Sequence, residues 1–249
     1  MALLTLHTVS SQLKMTTVIH VILPDSVRMD VPMSERKVLY LLHGLSDDSS
    51  MWVRRSLIEN EADKYGLIVV MPSVDRSFYC DGIHGQNYFT YLTSELPEYL
   101  HKVFSISTKK SDTLIAGLSM GGYGAMRAGL AFPEQYFAVG SFSGVLSLEP
   151  LFMRIDPAIA EEFPFLAAVA DTLDTTPLNP VNLLPNAHEQ KIYVSCGLQD
   201  DLLISSQLFE KRAKKMGVLV RFSYSDGKHD WTFWNHEIGE FLRYVFEGK

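Results

Sequence analysis

Three residue types at the right places would make an acyl-transfer site, and the sequence supplies them. Gly117-Leu118-Ser119-Met120-Gly121 fits G-x-S-x-G. In that pattern small residues two before and two after a serine let the backbone turn sharply from a strand into a helix, so the hydroxyl stands exposed at the strand's end. A serine hydroxyl is a weak nucleophile until a base takes its proton and a third group orients that base. Of the histidines after Ser119, His229 lies in Ser225-Asp226-Gly227-Lys228-His229-Asp230-Trp231, a turn between a predicted strand and a predicted helix. It is the candidate base. His236 falls inside the helical run and His188 in a polar loop, so neither is favoured. Two adjacent carboxylates, Asp200 and Asp201, follow the predicted strand ending at Gly197, and position alone leaves both open as the orienting acid. Asp226 and Asp230 read as turn and helix-capping residues. The order serine, acid, histidine is the one this chemistry takes on an α/β sheet.

An oxyanion formed on Ser119 needs backbone N–H groups aimed at it. Met120, the residue after the serine, is one expected donor. Leu45 is the other: it follows His43-Gly44 at the end of the run Val38–Leu42, where Gly44 lets the chain turn inward. His43 reads as a loop-stabilising residue. Gly44, Trp52 and Trp231 are the expected substrate contacts, with Phe78, Tyr79 and Tyr88 divided between lining the cleft and packing. Of Trp231, Phe233 and Trp234, at least two are expected under the last helix and one in the acyl pocket.

These residues need a scaffold, and the hydrophobic pattern names one. Val38–Leu42, Leu67–Met71, Thr113–Ala116, Tyr136–Phe142 and Lys191–Cys196 are apolar on both faces, as strands covered by helices are. Helical patterns alternate with them at 56–65, 91–104, 121–132, 205–216 and 236–246. That alternation means a doubly wound, mostly parallel α/β sheet. Thr5–Leu13 and Thr17–Leu23 are expected to pair antiparallel at one edge, and Val220–Ser225 to be the last strand. Residues 147–188 hold six prolines and no convincing strand, and read as a short helical, cap-like insertion within one domain spanning 1–249.

Composition excludes other classes. The chain has 249 residues, a formal net charge of −7 and 47% hydrophobic residues. That size buries a sizeable core, and the acidic balance gives no basic footprint for nucleic acid. There is no HExxH, CxxC, GxGxxG or P-loop, so no metal or cofactor is expected. No apolar run is long enough for a membrane span. Two cysteines and an N-terminal stretch without a basic n-region point to the cytoplasm.

Together His43-Gly44, Trp52, Gly117-x-Ser119-Met120-Gly121-Gly122, Gly197-x-x-Asp200 and His229-x-Trp231 resemble the esterase D group of α/β-hydrolases. Its members include S-formylglutathione hydrolases, feruloyl esterases and mycolyltransferase-like proteins, and the likeness is strongest to bacterial tributyrin esterases. The resemblance runs from about Thr17 to Phe246. It implies an α/β-hydrolase fold, cofactor-free hydrolysis of small short-chain acyl esters, Asp200 over Asp201 as the acid, and a homo-oligomer. The loop His43-Gly44-Leu45-Ser46-Asp47-Asp48 lacks the cysteine of the S-formylglutathione hydrolase branch, which disfavours a glutathione thioester. Feruloyl esters, thioesters and acyl transfer are alternatives for the same triad. A non-catalytic binding protein on this scaffold would be expected to have lost one of these residues.

Overall fold

Each central strand sends successive side chains to opposite faces, and in this chain both faces are apolar. The computed structural model describes residues 1–24, 31–83, 85–154, 163 and 169–248. Eight strands form one sheet: β1 (Ala2–Ser10), β2 (Met15–Leu23), β3 (Val38–Leu42), β4 (Ile68–Pro72), β5 (Thr113–Leu118), β6 (Ala138–Phe142), β7 (Lys191–Gly197) and β8 (Arg221–Ser225). Their spatial order is β1-β2-β4-β3-β5-β6-β7-β8. β2 runs antiparallel to both β1 and β4, and the other pairs are parallel. The expected antiparallel edge is present.

Helices α1 (Met51–Arg55), α2 (Ile58–Tyr65), α3 (Leu96–Phe104), α4 (Met120–Ala131), α5 (Glu149–Arg154), α6 (Leu203–Met216) and α7 (Trp231–Glu247) accompany the sheet. On one face Tyr40, Leu42, Val70 and Ile115 pack with Leu96, Leu100, Met126 and Phe209 of α3, α4 and α6. On the other, Leu39, Leu41, Val69 and Leu114 pack with Trp52, Ile58, Ile238 and Phe241 of α1, α2 and α7. Two buried layers thus clamp the parallel strands. No described helix is long and apolar enough to cross a membrane.

Register brings the strand ends into line. Leu42 lies opposite Gly117 and Leu118 opposite Phe142, while Gly197 lies opposite Ser225. The loops after β3, β5, β7 and β8 therefore emerge at one end of the sheet, as ligand-binding loops of open α/β sheets do.

Two elements depart from the sequence reading for identifiable physical reasons. β1 covers Ala2–Ser10, not Thr5–Leu13. The turn after it is fixed by Glu95, whose carboxylate accepts the Ser11 N–H (2.7 Å), the Ser11 hydroxyl (2.6 Å), the Gln12 N–H (3.3 Å) and the Ser10 hydroxyl. Leu13 tucks into the core from that turn, 1% exposed, so its apolar character marks burial and not strand. α7 begins at Trp231, five residues before the expected start, because Asp230 caps it by accepting the Thr232 and Phe233 N–H groups at 3.0 and 3.1 Å. Of the expected insertion, residues 155–162 and 164–168 lie outside the described residues. Its described parts contain α5 and two 3₁₀ turns, Ala170–Thr172 and Pro180–Asn186, and no strand.

Phe241 sits where α7 meets the sheet, with ring centroids 6.0 Å from Phe142 and from Tyr193. It is fully buried. Phe241→Ala should lower unfolding stability by about 3–5 kcal/mol, seen as a fall in the urea midpoint at unchanged slope.

Candidate active site

Ser119 occupies the turn between β5 and α4 with φ 51° and ψ −118°. That backbone conformation is costly for a residue with a side chain, by about 1–3 kcal/mol. Its surroundings hold it there. The Ser119 N–H donates to Phe142 O at 2.9 Å, and Ser119 O accepts the Tyr123 N–H at 3.0 Å. The flanking glycines are required by space: a Cβ on Gly117 would lie 2.5 Å from the Gly121 backbone, and one on Gly121 only 2.4 Å from Leu42 O. Met120 is the first residue of α4, so its N–H has no intrahelical acceptor.

The hydroxyl points at the predicted histidine. Ser119 Oγ and His229 Nε2 are 3.0 Å apart, and His229 Nδ1 lies 2.9 Å from Asp200 Oδ2. A carboxylate only accepts, so Nδ1 carries the proton and Nε2 is left to accept from Ser119. Asp201 is exposed. The Asp200 side chain is fully buried, whereas that of His229 is 37% exposed. Burial alone would raise the Asp200 carboxyl. The bonds from His229 and the Leu202 N–H, with the nearby Ser143 hydroxyl, outweigh it and hold Asp200 below the usual carboxylate range.

The two loops that carry this pair are laced together. Gly227 N–H donates to Gln199 Oε1 at 2.9 Å, and Gln199 N–H donates to Gly227 O at 3.0 Å. A Cβ on Gly197 would stand 2.3 Å from Gly227 O.

The loop after β3 is braced from behind. His43 is 1% exposed. Its Nδ1–H donates to Gly44 O (2.8 Å) and its Nε2 accepts the Val74 N–H (3.1 Å). Tyr79 O–H donates to His43 O at 3.0 Å, and Trp52 Nε1–H to Leu42 O at 3.0 Å. Trp52 was expected at the substrate. It is 1% exposed and stands behind Trp231, ring centroids 5.1 Å apart, so it supports the cleft wall without forming it. Tyr79 is likewise buried in packing. Gly44, Leu45, Ser119, His229, Trp231 and Trp234 line an open cleft of about 640 Å³. Among the described residues no group of three or more His, Cys, Asp or Glu could hold a metal ion.

Comparison with known proteins identifies the family. The family model named Esterase matches residues 10–245. The chain belongs to the esterase family. It is 30% identical to an acetyl esterase of Caldicellulosiruptor saccharolyticus, over 98% of both chains. It is similar to the crystal structure of an S-formylglutathione hydrolase from Staphylococcus aureus, with TM-score 0.85, 29% identity and 98% of each chain covered. A fluorophosphonate-binding serine hydrolase of the same organism matches with TM-score 0.85, 28% identity and 98% of each chain. This esterase therefore has the α/β-hydrolase fold, and it is a carboxylic-ester hydrolase.

One support of the esterase's candidate site carries no signal in the sequence. Ser143, just past β6 at φ 51°, accepts the Trp234 Nε1–H at 3.1 Å and presents its hydroxyl towards Asp200. Trp234 also sets its ring edge-on to His229, centroids 4.9 Å apart. One indole thus supports both the imidazole and the carboxylate's neighbour. Only a tertiary contact across 91 residues joins Ser143 to Trp234, which is why no local motif shows it.

His43 makes the esterase's stability pH-dependent. Burial pushes its imidazole pKa down, against the pull of the Gly44 carbonyl and nearby aspartates. Below the unfolded value of about 6.5, the unfolded chain binds a proton that the folded one refuses, so stability falls with acidification. Urea midpoints measured from pH 7.5 to 5 should decline in the wild type. The decline should be shallower in His43→Gln, which starts from a lower midpoint.

Proposed function

We propose that this chain is a serine carboxylesterase acting on short-chain acyl esters, with Ser119 as nucleophile, His229 as base and Asp200 as the orienting acid. The observation that carries the reading is the unbroken contact line from Ser119 Oγ through His229 to Asp200, at 3.0 and 2.9 Å. Ser119 attacks the ester carbonyl while His229 Nε2 takes the hydroxyl proton. Asp200, held ionised, stabilises the imidazolium that results. The backbone N–H groups of Met120 and Leu45 receive the oxyanion. His229 returns the proton to the alcohol oxygen, the alcohol leaves, and water activated by the same imidazole releases the acid from Ser119.

The name of the acetyl esterase relative supports a short acyl chain. Two free, buried thiols, Cys80 and Cys196, support a reducing, cytoplasmic setting. A thioester is the second reading, favoured by the S-formylglutathione hydrolase at 29% identity. It needs the same triad and a sulfur leaving group.

Ser119→Ala should bring p-nitrophenyl acetate hydrolysis down to background. Asp200→Asn should cut kcat by about 10³–10⁴-fold with little change in KM, because an amide favours the wrong imidazole tautomer. Across p-nitrophenyl esters from acetate to octanoate, kcat/KM should peak at butyrate or shorter. A maximum at octanoate removes the short-chain assignment, and faster turnover of S-formylglutathione than of any oxygen ester replaces it with the second reading.

A further inference from the structure

In the proposed mechanism two N–H groups face one oxygen, that of Met120 at the start of α4 and that of Leu45 in the loop after β3. Their aim depends on how the peptide units that carry them are held. A trans peptide is planar, so its C=O and N–H point in opposite directions, and fixing one aims the other. Gly44 O accepts the His43 Nδ1–H at 2.8 Å and the Asp47 N–H at 3.3 Å. The Leu45 N–H, at the other end of that peptide, has no acceptor among the described residues. The peptide before it is held at both ends too. His43 O accepts the Tyr79 O–H at 3.0 Å, and the Asp47 carboxylate takes the Gly44 N–H.

Tyr79 is bonded to both elements that supply a donor. Its hydroxyl reaches the loop after β3, and its carbonyl accepts the Nη1–H of Arg127, in α4, at 3.1 Å. Arg127 is itself buried, with its guanidinium 3.8 Å from the centroid of the Phe89 ring. The Tyr79 ring lies on α4 at Gly124, where a Cβ would stand 2.5 Å from Tyr79 Cδ2. Tyr79 is fully buried, so bulk water has no access to replace its hydroxyl. Burial also pushes the phenol well above its ordinary range, which keeps it a donor.

The backbone is strained to place it there. Phe78 and Tyr79 have φ of 49° and 52°. Positive φ is uncommon for residues with large side chains and persists where the surroundings over-determine it. Ser77 supplies part of that hold: its Oγ accepts the Tyr79 N–H and its O accepts the Cys80 N–H, both at 3.0 Å. What the strained turn delivers is a phenol donor behind the loop that carries Leu45.

We propose that Tyr79 is a positioning residue for the oxyanion site: through the His43 carbonyl, its hydroxyl sets the aim of the Leu45 N–H relative to that of Met120. This rests on the serine-esterase reading above and adds to it the residue that ties the two donors together.

The test is Tyr79→Phe, which removes the hydroxyl and keeps the ring. Two quantities are measured, kcat/KM for p-nitrophenyl acetate and the Ki of trifluoroacetone. Ser119 Oγ adds to that ketone's carbonyl carbon, the hydroxyl proton passes to His229, and the carbonyl oxygen becomes the oxyanion. Removing an oxyanion donor outright costs about 10²–10³-fold, so loosening the aim of one should lower kcat/KM by about tenfold. Ki should rise by the same factor. The acid limb of the pH profile, which reports His229, should not move. Arg127→Met leaves the hydroxyl in place and frees the Tyr79 backbone. It should show the same paired changes at smaller size, and it decides the question if Tyr79→Phe does not fold. Tyr193→Phe removes another buried hydroxyl, bonded to Glu237 at 2.7 Å, and should leave both quantities unchanged. Unchanged kcat/KM in Tyr79→Phe overturns the positioning role, as does a fall in kcat/KM with Ki unchanged. A shifted acid limb, or the same losses in Tyr193→Phe, overturns it too. Turnover that survives Ser119→Ala, or a wild type that trifluoroacetone does not inhibit, overturns the serine-esterase reading and the positioning role together.

Discussion

No side chain fits between Gly121 and the carbonyl of Leu42, where a Cβ would have only 2.4 Å. That approach sets the rest of the molecule. It seats the start of α4 against the end of β3, which brings the turn that carries Ser119 and the loop after β3 to one point. The strain at Ser119 is stored there, and the packing of α4 into the sheet offsets it. Substituting a bulkier residue would require β3 or α4 to move, and both are clamped between buried layers.

The other half of the candidate site is brought to that point by lacing. β7 and β8 are neighbours, and their following loops exchange hydrogen bonds through Gln199 and Gly227. Asp200 is thereby fixed relative to His229 before any substrate arrives, which is what electrostatic preorganisation requires. The exposed part of the imidazole faces the cleft and the buried carboxylate faces the protein. In the proposed mechanism the proton would thus move at the surface while the charge that supports it stays out of water.

The sheet, the helix alternation and the Ser119–His229 pairing were legible because each rests on local pattern: apolar runs of strand length, a glycine-framed turn, a histidine between strand and helix. Asp200 and Asp201 were not separable by position, since both follow the same strand. Only a tertiary contact distinguishes them, that of Asp200 Oδ2 with His229 Nδ1. Trp52 was misplaced because a large aromatic near a loop looks the same whether it lines a cleft or braces it. Leu13 extended β1 in the sequence reading because burial in a turn mimics burial in a strand. The early start of α7 depends on the Asp230 cap, a bond from side chain to backbone that apolar spacing does not reveal. The support from Ser143 and Trp234 depends on contacts between distant segments, which periodicity does not encode.

The chain has three tryptophans, and all three stand in one row: Trp52 against Trp231, Trp231 against Trp234, and Trp234 against His229, with ring centroids 5.1, 5.5 and 4.9 Å apart. Its entire indole fluorescence therefore originates beside the His229 imidazole. Emission intensity and wavelength are a built-in optical report on that wall, sensitive to its wetting and to the charge on His229. Loosening at the β1 edge would leave the signal dark to the event, whereas a disturbance of the cleft wall would change the spectrum.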